Sequence, residues 1–447
     1  MPLDRYMLSP MEKLWGRARS KFEFWLKVEL AVLQARGHLG EVSLEAYVDI
    51  KRNAKVNVNR IKALEAEFDH DMIAFVVSIQ ESLERAGVGQ WKGEFHKPLT
   101  SYDIEDPATI LMLREAVNLI LEELVQLEKA LRNKAAEHQW TLMIARTHGQ
   151  DAEPSTFGHL LLVFAEAVYR SIRRLEHVIN EELSEGKISG AVGMYGGISP
   201  VLEEKALAYL GLKSAKAETQ ILQRDRHAAV LGALAVAAGT IEQMASTFWQ
   251  MMRSNVGELR EPRRQSQRGS SAMAWKRNPI LTERLIGLAR LIRGWAGAQM
   301  ESIATPEWRD IAQSIVERHT FPDATTLMHY AAVRMTVCVE RLEVFPDKMQ
   351  RNLDRTCGVW AGQLVQVALT ETGVSYEDAY LYIQQVGFDA VDQEISILQL
   401  LCERPISKED QRTAESILGQ ERLEALFDPM AYIRPGIEHI FIEERSG

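Results

Sequence analysis

Residues able to take part in chemistry are concentrated in three polar segments of the chain. The segments are His96–Asp103, followed by Asp106-Pro107, then Arg146–Pro154, and Gly269–Pro279. Each carries hydroxyl groups with a His or Lys, and each ends at a proline ahead of a long stretch of helix-forming residues. Because a helix N-terminus presents unpaired N–H groups and a partial positive charge, it binds carboxylates and phosphates well. The segments predict a site for an anionic small molecule, and the sequence leaves open whether they meet within one chain.

The third segment lies in a basic part of an acidic protein. Residues 260–277 contain six basic side chains and one acidic one, although the formal net charge of the chain is −10. Two hydroxyls, Ser270 and Ser271, stand shortly before Lys276 and Asn278, which suits a base or nucleophile beside cationic groups. A solvated, flexible surface loop is the alternative interpretation of this stretch taken alone.

Composition excludes several classes of protein. With 447 residues and 46% hydrophobic content, the chain can bury a large core, and its acidic balance argues against non-specific nucleic-acid binding. Three scattered cysteines and the lack of a dinucleotide-binding glycine motif predict no disulfide framework, no metal and no cofactor. The N-terminus lacks the layout of a secretory signal, and no uninterrupted apolar run is long enough to span a bilayer. The prediction is a cytoplasmic protein with no membrane partner.

Intervals without proline indicate long helices. Five such intervals, rich in helix-forming residues, are 108–153, 155–199, 201–261, 280–305 and 323–345. Within 110–131 the apolar residues recur at three- and four-residue steps over a wide face, which is typical of a helix buried on more than one side. We predict an all-α protein whose wide stripes also pack against another subunit. The predicted domains are an N-terminal helical domain over 1–105, a central long-helix bundle over 106–350 and a C-terminal helical domain over 351–447.

Longer motifs connect these segments to a known family. Gly269–Pro279 resembles the signature loop of the fumarase/aspartase superfamily. Other segments resemble its adenylosuccinate lyase branch, namely Leu99–Asp103, Arg146–Gly149, Ala152–Gly158, Lys187–Gly193, Thr219–His227 and Trp308–Arg318. The resemblance extends from Arg5-Tyr6 to Phe427-Asp428-Pro429, which is nearly the whole chain. The loop alone does not select a substrate, whereas the added segments indicate the branch.

The resemblance implies a three-domain, fumarase/aspartase-like fold with a central bundle of long helices, assembling as a homotetramer with active sites shared between subunits. It implies an anti β-elimination that breaks a C–N bond without water and releases fumarate. The implied substrates are adenylosuccinate, which gives AMP, and the succinyl-carboxamide imidazole ribotide SAICAR, which gives AICAR. Both reactions belong to purine biosynthesis.

Such an elimination needs a base, an acid for the departing nitrogen and cationic support for developing negative charge. Ser270 is similar to the family's general base, and its alkoxide would need Lys276 and oriented N–H groups to stabilise it. Ser271 is the neighbouring candidate. His148 is similar to the general acid, since an imidazole titrates near neutrality, although a lone His ahead of a helix is more often a cap or surface residue. The implied catalytic set is His148, Ser270, His70, Lys276 and Glu283, in which His70 contacts substrate and pairs with His148 or Glu283.

A second set is implied to bind the substrate. Thr100 and Ser101 can donate hydrogen bonds to the succinyl carboxylate, opposite Lys276 and Asn278. The positions implied to hold the nucleotide phosphate are Arg5, Tyr6, Arg309, Ser314 and Arg318, and arginine forks suit phosphate oxygens. The whole substrate-binding set is Arg5, Tyr6, His70, Asp71, His96, Thr100, Ser101, Gln220, Lys276, Asn278, Arg309, Ser314 and Arg318.

Four positions depart from the family pattern. Ala274 stands where the loop usually has proline, and Trp275 replaces a smaller residue. Tyr102 occupies a position where a small hydroxyl residue is common, and Asp69 one where relatives often carry a basic residue. Since proline restricts a loop more than alanine does, we expect the changes in the loop to alter its closure, and Tyr102 to alter closure or substrate preference.

Two other functions fit parts of this pattern. A sibling lyase or cycloisomerase acting on another succinyl-type substrate would share the loop, but without a phosphate on its substrate it would not need Arg309, Ser314 and Arg318. A non-catalytic structural tetramer would share the fold, but it would not need to retain Ser270 and His148.

Overall fold

The computed structural model describes residues 4–16, 18–263 and 265–442, most of which are helical. The prediction of a predominantly helical protein is confirmed. Short 3₁₀ helices cover Gly89–Glu94 and Val359–Ala361. The α-helices are α1 Ser9–Leu14, α2 Ala18–His38, α3 Leu44–Asn53, α4 Val58–Phe68, α5 Asp71–Arg85, α6 Ser101–Glu137, α7 Phe157–Asn180, α8 Pro200–Tyr209, α9 Asp225–Met251, α10 Ile280–Glu301, α11 Ala312–Glu340, α12 Pro346–Asp354, α13 Gly362–Glu371, α14 Tyr376–Asp392, α15 Ile397–Glu403, α16 Ala414–Leu418, α17 Gln420–Ala425 and α18 Pro429–Ile440.

The strands described are short and form three two-stranded sheets. They are β1 Leu142–Thr147 with β2 Gln150–Thr156, β3 Glu185–Gly186 with β4 Lys213–Ser214, and β5 Leu259–Arg260 with β6 Glu343–Val344. The β1–β2 hairpin replaces the loop predicted ahead of α7, so Pro154 lies in a strand and not in the first helical turn. Its antiparallel pairing runs from Leu142 opposite Thr156 to Thr147 opposite Gln150.

The first polar segment also departs from its predicted boundary. The proline signal predicts a helix opened by Pro107 and capped by Asp106, but α6 begins at Ser101 and Pro107 lies inside it. The earlier start has a local cause, because the Asp103 carboxylate accepts a hydrogen bond from the Thr100 backbone N–H at 3.0 Å. In the third segment the prediction is confirmed, since α10 begins at Ile280 directly after Pro279.

The chain divides into two compact units. The first unit contains Met1–Leu127, Ala167–Gln243 and Arg284–Thr336, and the second contains Glu128–Glu166, Met244–Glu283 and Val337–Gly447. Every boundary between them falls inside one of the five long helices α6, α7, α9, α10 and α11. The predicted division into three domains stays a prediction.

Each unit has its own buried core. In the first unit, the rings of Phe22, Trp25 and Phe75 pack together at centroid distances of 5.4–6.0 Å. In the second unit, an apolar cluster on α13–α17 includes Val365 and Leu401, both fully buried. Full burial of such a side chain stabilises the fold by about 1.5–3 kcal/mol.

Among the residues that the structure describes, one helix has the length and composition of a membrane span. Asp225–Met251 has a mean hydropathy of 1.5 in its most apolar window, and 50% of that window is buried inside the protein. The core helix of a soluble protein has the same properties, so α9 is weak support for a membrane location.

Candidate active site

In the first unit, the start of α6 is fixed by a buried ion pair. Lys187 Nζ lies 2.7 Å from Asp103 Oδ1, and the two side chains are 1% and 0% exposed. The same ammonium donates to the Gly190 carbonyl at 3.1 Å and to the Gln220 carbonyl at 3.0 Å. Since Asp103 also binds the Thr100 backbone, this pair ties the Thr100 segment to the chain at Gln220.

Two predicted substrate-binding residues meet beside this network. Arg309 donates from Nη1 to the side-chain carbonyl of Gln220 at 3.0 Å. The centre of the Arg309 guanidinium also lies 4.0 Å from the centroid of the Tyr102 ring. The structure therefore brings Gln220 and Arg309 together, and their predicted contacts with substrate stay predictions.

Two cationic side chains, those of Lys21 and Arg318, contact Asp71 at the start of α5. Its carboxylate accepts from Lys21 at 2.9 Å and lies 3.3 Å from Arg318. Burial favours a higher pKa for Asp71, but the charges of Lys21 and Arg318 hold that pKa below its usual range. Lys21, Ser314 and Arg318 line one cavity of 270 Å³, so two members of the predicted phosphate set lie together.

The two predicted site histidines in the first unit, His70 and His96, differ in their surroundings. His70 is an exposed N-cap whose ring nitrogen accepts weakly from the Ile73 N–H at 3.4 Å. His96 has a φ of 66° and places its Nδ1 2.6 Å from the buried Glu29 carboxylate. Burial opposes protonation of His96, but the hydrogen bond and charge of Glu29 raise its pKa above the usual range. His70 is thus a helix cap in the folded chain, and its predicted contact with substrate stays a prediction.

The N-terminal pair Arg5 and Tyr6 is less constrained. The Tyr6 ring packs edge-on against Tyr330 at 5.2 Å, and Arg284 donates to the Tyr330 hydroxyl at 3.0 Å. Over residues 4–16, 18–263 and 265–442, no hydrogen bond or ion pair joins Arg5 to another predicted site residue. Its predicted phosphate contact stays a prediction.

In the second unit, His148 occupies the tip of the β1–β2 hairpin. His148 and Gly149 form the two-residue turn, with φ values of 54° and 79°. Positive φ at both central residues is what a type I′ turn requires, and this turn matches the twist of a hairpin. The turn leaves the His148 imidazole exposed.

The hairpin is anchored by charge next to its turn. Arg146 pairs with Asp151 at 2.9 Å and with the fully buried Glu258 at 3.1 Å. Asn352 satisfies Glu258 further by donating to its carboxylate at 2.7 Å. A buried carboxylate with these partners fixes the strand that leads to His148.

The signature loop presents Ser270 in a distinctive local geometry. Its Oγ accepts hydrogen bonds from two backbone N–H groups, those of Ala272 at 3.3 Å and Met273 at 3.1 Å. The Lys276 N–H then donates to the Met273 carbonyl at 2.9 Å, which folds the segment back on itself. In the part of the chain that the structure describes, no such bonds reach the Ser271 hydroxyl, and the choice of Ser270 over Ser271 as the base stays a prediction.

This loop borders a cavity of 510 Å³ in the second unit. Lys276, Asn278 and Glu283 line it, together with Arg260 and Lys348. Glu283 accepts from the Trp249 indole N–H at 3.3 Å. No hydrogen bond of Glu283 to His148 or His70 occurs among the residues described, so the predicted pairing stays a prediction.

Comparisons with known proteins agree on the family. The family model described as "Lyase" matches residues 10–294. The chain is 40% identical over 443 residues to the adenylosuccinate lyase of Thermotoga maritima, covering 98% of each chain. It is 36% identical over 445 residues to the adenylosuccinate lyase of Bacillus subtilis, covering 100% of this chain and 99% of the relative. This chain belongs to the adenylosuccinate lyase family.

A solved structure supports the fold of this adenylosuccinate lyase family member. The 3-carboxy-cis,cis-muconate lactonizing enzyme from Pseudomonas putida superposes with a TM-score of 0.87. The match covers 99% of both chains at 24% sequence identity. At that identity the likeness shows the fold alone, while the two lyases above show the family.

Several residues that build the site of this family member have no distinguishing signal in the sequence. Glu29 and Glu258 are acidic residues that nothing in their local spacing marks, and Arg224 lies in the motif Thr219–His227, which does not indicate its partners Asp106 and Glu317. Asp103 and Lys187 lie inside motifs that resemble the family, but their spacing does not predict that they pair. All five act over long sequence separations, which local periodicity does not report.

Proposed function

We propose that this chain is an adenylosuccinate lyase. It cleaves the C–N bond of adenylosuccinate to give AMP and fumarate, and that of SAICAR to give AICAR and fumarate. Similarity to curated adenylosuccinate lyases over nearly the full length supports this function. A lyase of purine nucleotide biosynthesis acting in the cytoplasm is the corresponding cellular role.

The geometry around Ser270 is the observation that carries the chemistry. Two backbone N–H groups point at one hydroxyl oxygen, and the Lys276 ammonium follows a few residues later in the same exposed loop. Hydrogen bonds to an anionic form favour that form, so these donors favour the Ser270 alkoxide. An alkoxide is a base strong enough to remove a proton next to a carboxylate.

The elimination then has two proton transfers. Ser270 removes a proton from the succinyl carbon next to a carboxylate, and the electron pair of that C–H bond remains on the succinyl group, where cationic groups stabilise it. The electrons then form the C=C bond of fumarate as the C–N bond breaks. His148 donates a proton to the departing nitrogen, and transfer of the proton from Ser270 to His148 restores both groups.

Substrate binding uses anion contacts at both ends of the molecule. Thr100, Ser101, Lys276 and Asn278 bind the succinyl carboxylates. The phosphate is bound by Arg5, Tyr6, Arg309, Ser314 and Arg318. The remaining contacts come from His70, Asp71, His96 and Gln220. The proximity of Arg309 to Gln220 and of Ser314 to Arg318 supports this assignment.

The assembly proposed is a homotetramer of three-domain chains in which each site combines segments from different subunits. Large apolar side chains exposed on the long helices support self-association: Val163 on α7, Val236 on α9, and Leu291 and Met300 on α10 are 48–51% exposed. Contiguous exposed apolar patches mark surfaces for protein contact, and these side chains would contribute to such patches in the proposed assembly.

The first test is turnover of adenylosuccinate by the purified protein. We expect loss of the substrate chromophore with formation of AMP and fumarate in equal amounts. Turnover of an unphosphorylated succinyl compound without turnover of adenylosuccinate would contradict the proposal and favour a sibling lyase or cycloisomerase. No turnover of either would favour a structural tetramer.

The second test mixes two inactive variants. Ser270→Ala and His148→Ala are each expected to lose turnover, and co-refolded mixtures are expected to regain part of it. Partial recovery requires sites that combine an intact Ser270 from one chain with an intact His148 from another. Mixtures that stay inactive while forming tetramers would contradict shared sites.

A further inference from the structure

Tyr102, one of the departures from the family pattern, is buried at the start of α6. It directly follows Thr100 and Ser101, and it is 3% exposed. Its hydroxyl accepts a hydrogen bond from the buried side chain of Gln313 at 3.1 Å. The phenol therefore connects the first polar segment with the residue preceding Ser314 near the start of α11.

The ring of Tyr102 also faces two arginines that differ in how their charge is balanced. Arg224 lies 5.7 Å from the ring centroid, but it is buried between Asp106 at 2.9 Å and Glu317 at 2.8 Å. Arg309 lies closer, at 4.0 Å. No carboxylate lies within ion-pair distance of Arg309 among residues 4–16, 18–263 and 265–442.

The Arg309 guanidinium is thus held on two sides by neutral groups. The Tyr102 ring lies under it, and the Gln220 side-chain carbonyl accepts from Nη1 at 3.0 Å. An aromatic face attracts a guanidinium without neutralising it, so the full positive charge remains available to an anion. The Tyr102 phenol is neutral near neutral pH, and burial raises its pKa further.

We propose that Tyr102 is a positioning residue for recognition of the substrate's phosphate: its ring holds Arg309, aligned by Gln220, in the orientation that binds a phosphate group. The inference rests on the proposed function, in which Arg309 contacts the nucleotide phosphate. A serine or threonine at this position would leave the guanidinium without its aromatic support. Tyr102 therefore raises the affinity for phosphorylated ligands over the corresponding nucleosides.

The test compares binding of AMP and adenosine to the full-length protein by calorimetry. In Tyr102→Leu, which keeps most of the apolar volume but removes the aromatic face, we expect AMP affinity to fall by about tenfold, within the range for a desolvated cation–π contact. Adenosine affinity is expected to stay within about twofold of the original value. Tyr102→Phe retains the ring and is expected to lose less than about threefold in AMP affinity.

Kinetics supply a second measurement. The KM of Tyr102→Leu for adenylosuccinate is expected to rise by about tenfold, while kcat changes less than KM does. Tyr382→Leu serves as the matched control, because Tyr382 is also buried and hydrogen-bonded but lies in the apolar cluster on α13–α17. That variant is expected to retain the preference for AMP over adenosine.

Three results would overturn the inference. Equal losses of AMP and adenosine affinity in Tyr102→Leu would show a general packing defect. Equal AMP losses in Tyr102→Phe and Tyr102→Leu would assign the effect to the hydroxyl and not to the ring. Unchanged AMP affinity in Tyr102→Leu would show that Tyr102 does not position Arg309 for phosphate binding. If Tyr102→Leu fails to fold, Tyr102→Met gives the same comparison. Protein that prefers AMP over adenosine but does not cleave adenylosuccinate would refute the proposed function alone.

Discussion

Two regions that carry proposed site residues differ sharply in how they are held. At the start of α6 in the first unit, Asp103 and Lys187 are buried and bind each other, and they bind Thr100, Gly190 and Gln220 through four further hydrogen bonds. In the signature loop of the second unit, residues 271–277 are all exposed. Among the residues described, the hydrogen bonds of 270–277 stay inside that segment.

The contrast fits two different tasks. Recognition of a fixed anion is served by groups held in place before the ligand arrives, because ordering them on binding would cost affinity. A base that must reach the substrate and then release the product is served by a loop with few contacts to the rest of the chain. Local hydrogen bonds can still orient the proposed base, as the two N–H groups at Ser270 do.

The largest expected effect is on turnover, from Ser270→Ala. Removal of a base is expected to lower kcat by about a thousandfold, while the urea midpoint stays unchanged because the loop adds little to stability. Steady-state assay of adenylosuccinate cleavage and urea unfolding measure the two quantities. Ser271→Ala is the control and should keep most of its activity. Retained activity in Ser270→Ala together with lost activity in Ser271→Ala would identify Ser271 as the base.

The same lysine substitution in the two regions gives the second prediction. Lys187→Met leaves the Asp103 carboxylate buried without its partner, so the free energy of unfolding is expected to fall by about 3–5 kcal/mol. Lys276→Met, in the exposed loop, is expected to leave the free energy of unfolding within about 0.5 kcal/mol of its original value. Turnover is expected to be lost in the same variant. Urea denaturation of both variants measures the difference. Equal midpoints would show that the buried pair does not anchor the first region.

A smaller effect is expected from added bulk in the loop. A Cβ at Gly269 would lie 2.7 Å from the Lys276 carbonyl oxygen, so Gly269→Ala must shift the turn that presents Ser270. We expect kcat/KM to fall by about tenfold at an unchanged urea midpoint, since small misplacements of a reactive group are costly. Gly287→Ala in α10 is the control, because its Cβ meets nothing within 4 Å. Full activity of Gly269→Ala would show that the loop geometry is not needed.

The smallest effect concerns pH and the first region. The Glu29 carboxylate, aided by Asp103, raises the pKa of His96 despite the opposing effect of burial. The stabilisation from protonated His96 is thus complete below its unfolded pKa of about 6.5 and is lost as the pH rises through the higher folded value. A tenfold difference in proton affinity between the folded and unfolded states would contribute about 1.4 kcal/mol to the free energy of unfolding.

Glu29→Gln is expected to flatten this decline in thermal stability, measured by melting scans between about pH 6 and 8. His96→Gln in the original protein should flatten the decline as well, because it removes the group that titrates. A slope that persists in Glu29→Gln would assign the pH dependence to other groups.

Sequence motifs identified much of the candidate site but little of the local structure that positions its residues. The loop at Gly269–Pro279 is recognisable from its residue types and spacing, and the start of α10 after Pro279 follows from local helix chemistry. The hairpin at His148 was not predicted, because a short run of strand residues between two helices resembles the loop that leads into a helix. The start of α6 was not predicted because the Asp103–Thr100 bond outweighs the proline signal at Pro107.

The sequence by itself determined the family and the helical class, and it supplied the proposed reactive side chains, since these depend on residue types at short spacings. Only the tertiary structure decided which side chains are held in place and which distant residues hold them. Lys187 meets Asp103 across 84 positions, Arg309 meets Gln220 across 89, and Gln313 meets Tyr102 across 211. Such pairings arise when distant segments are packed against each other and lose water together, and local periodicity carries no record of them.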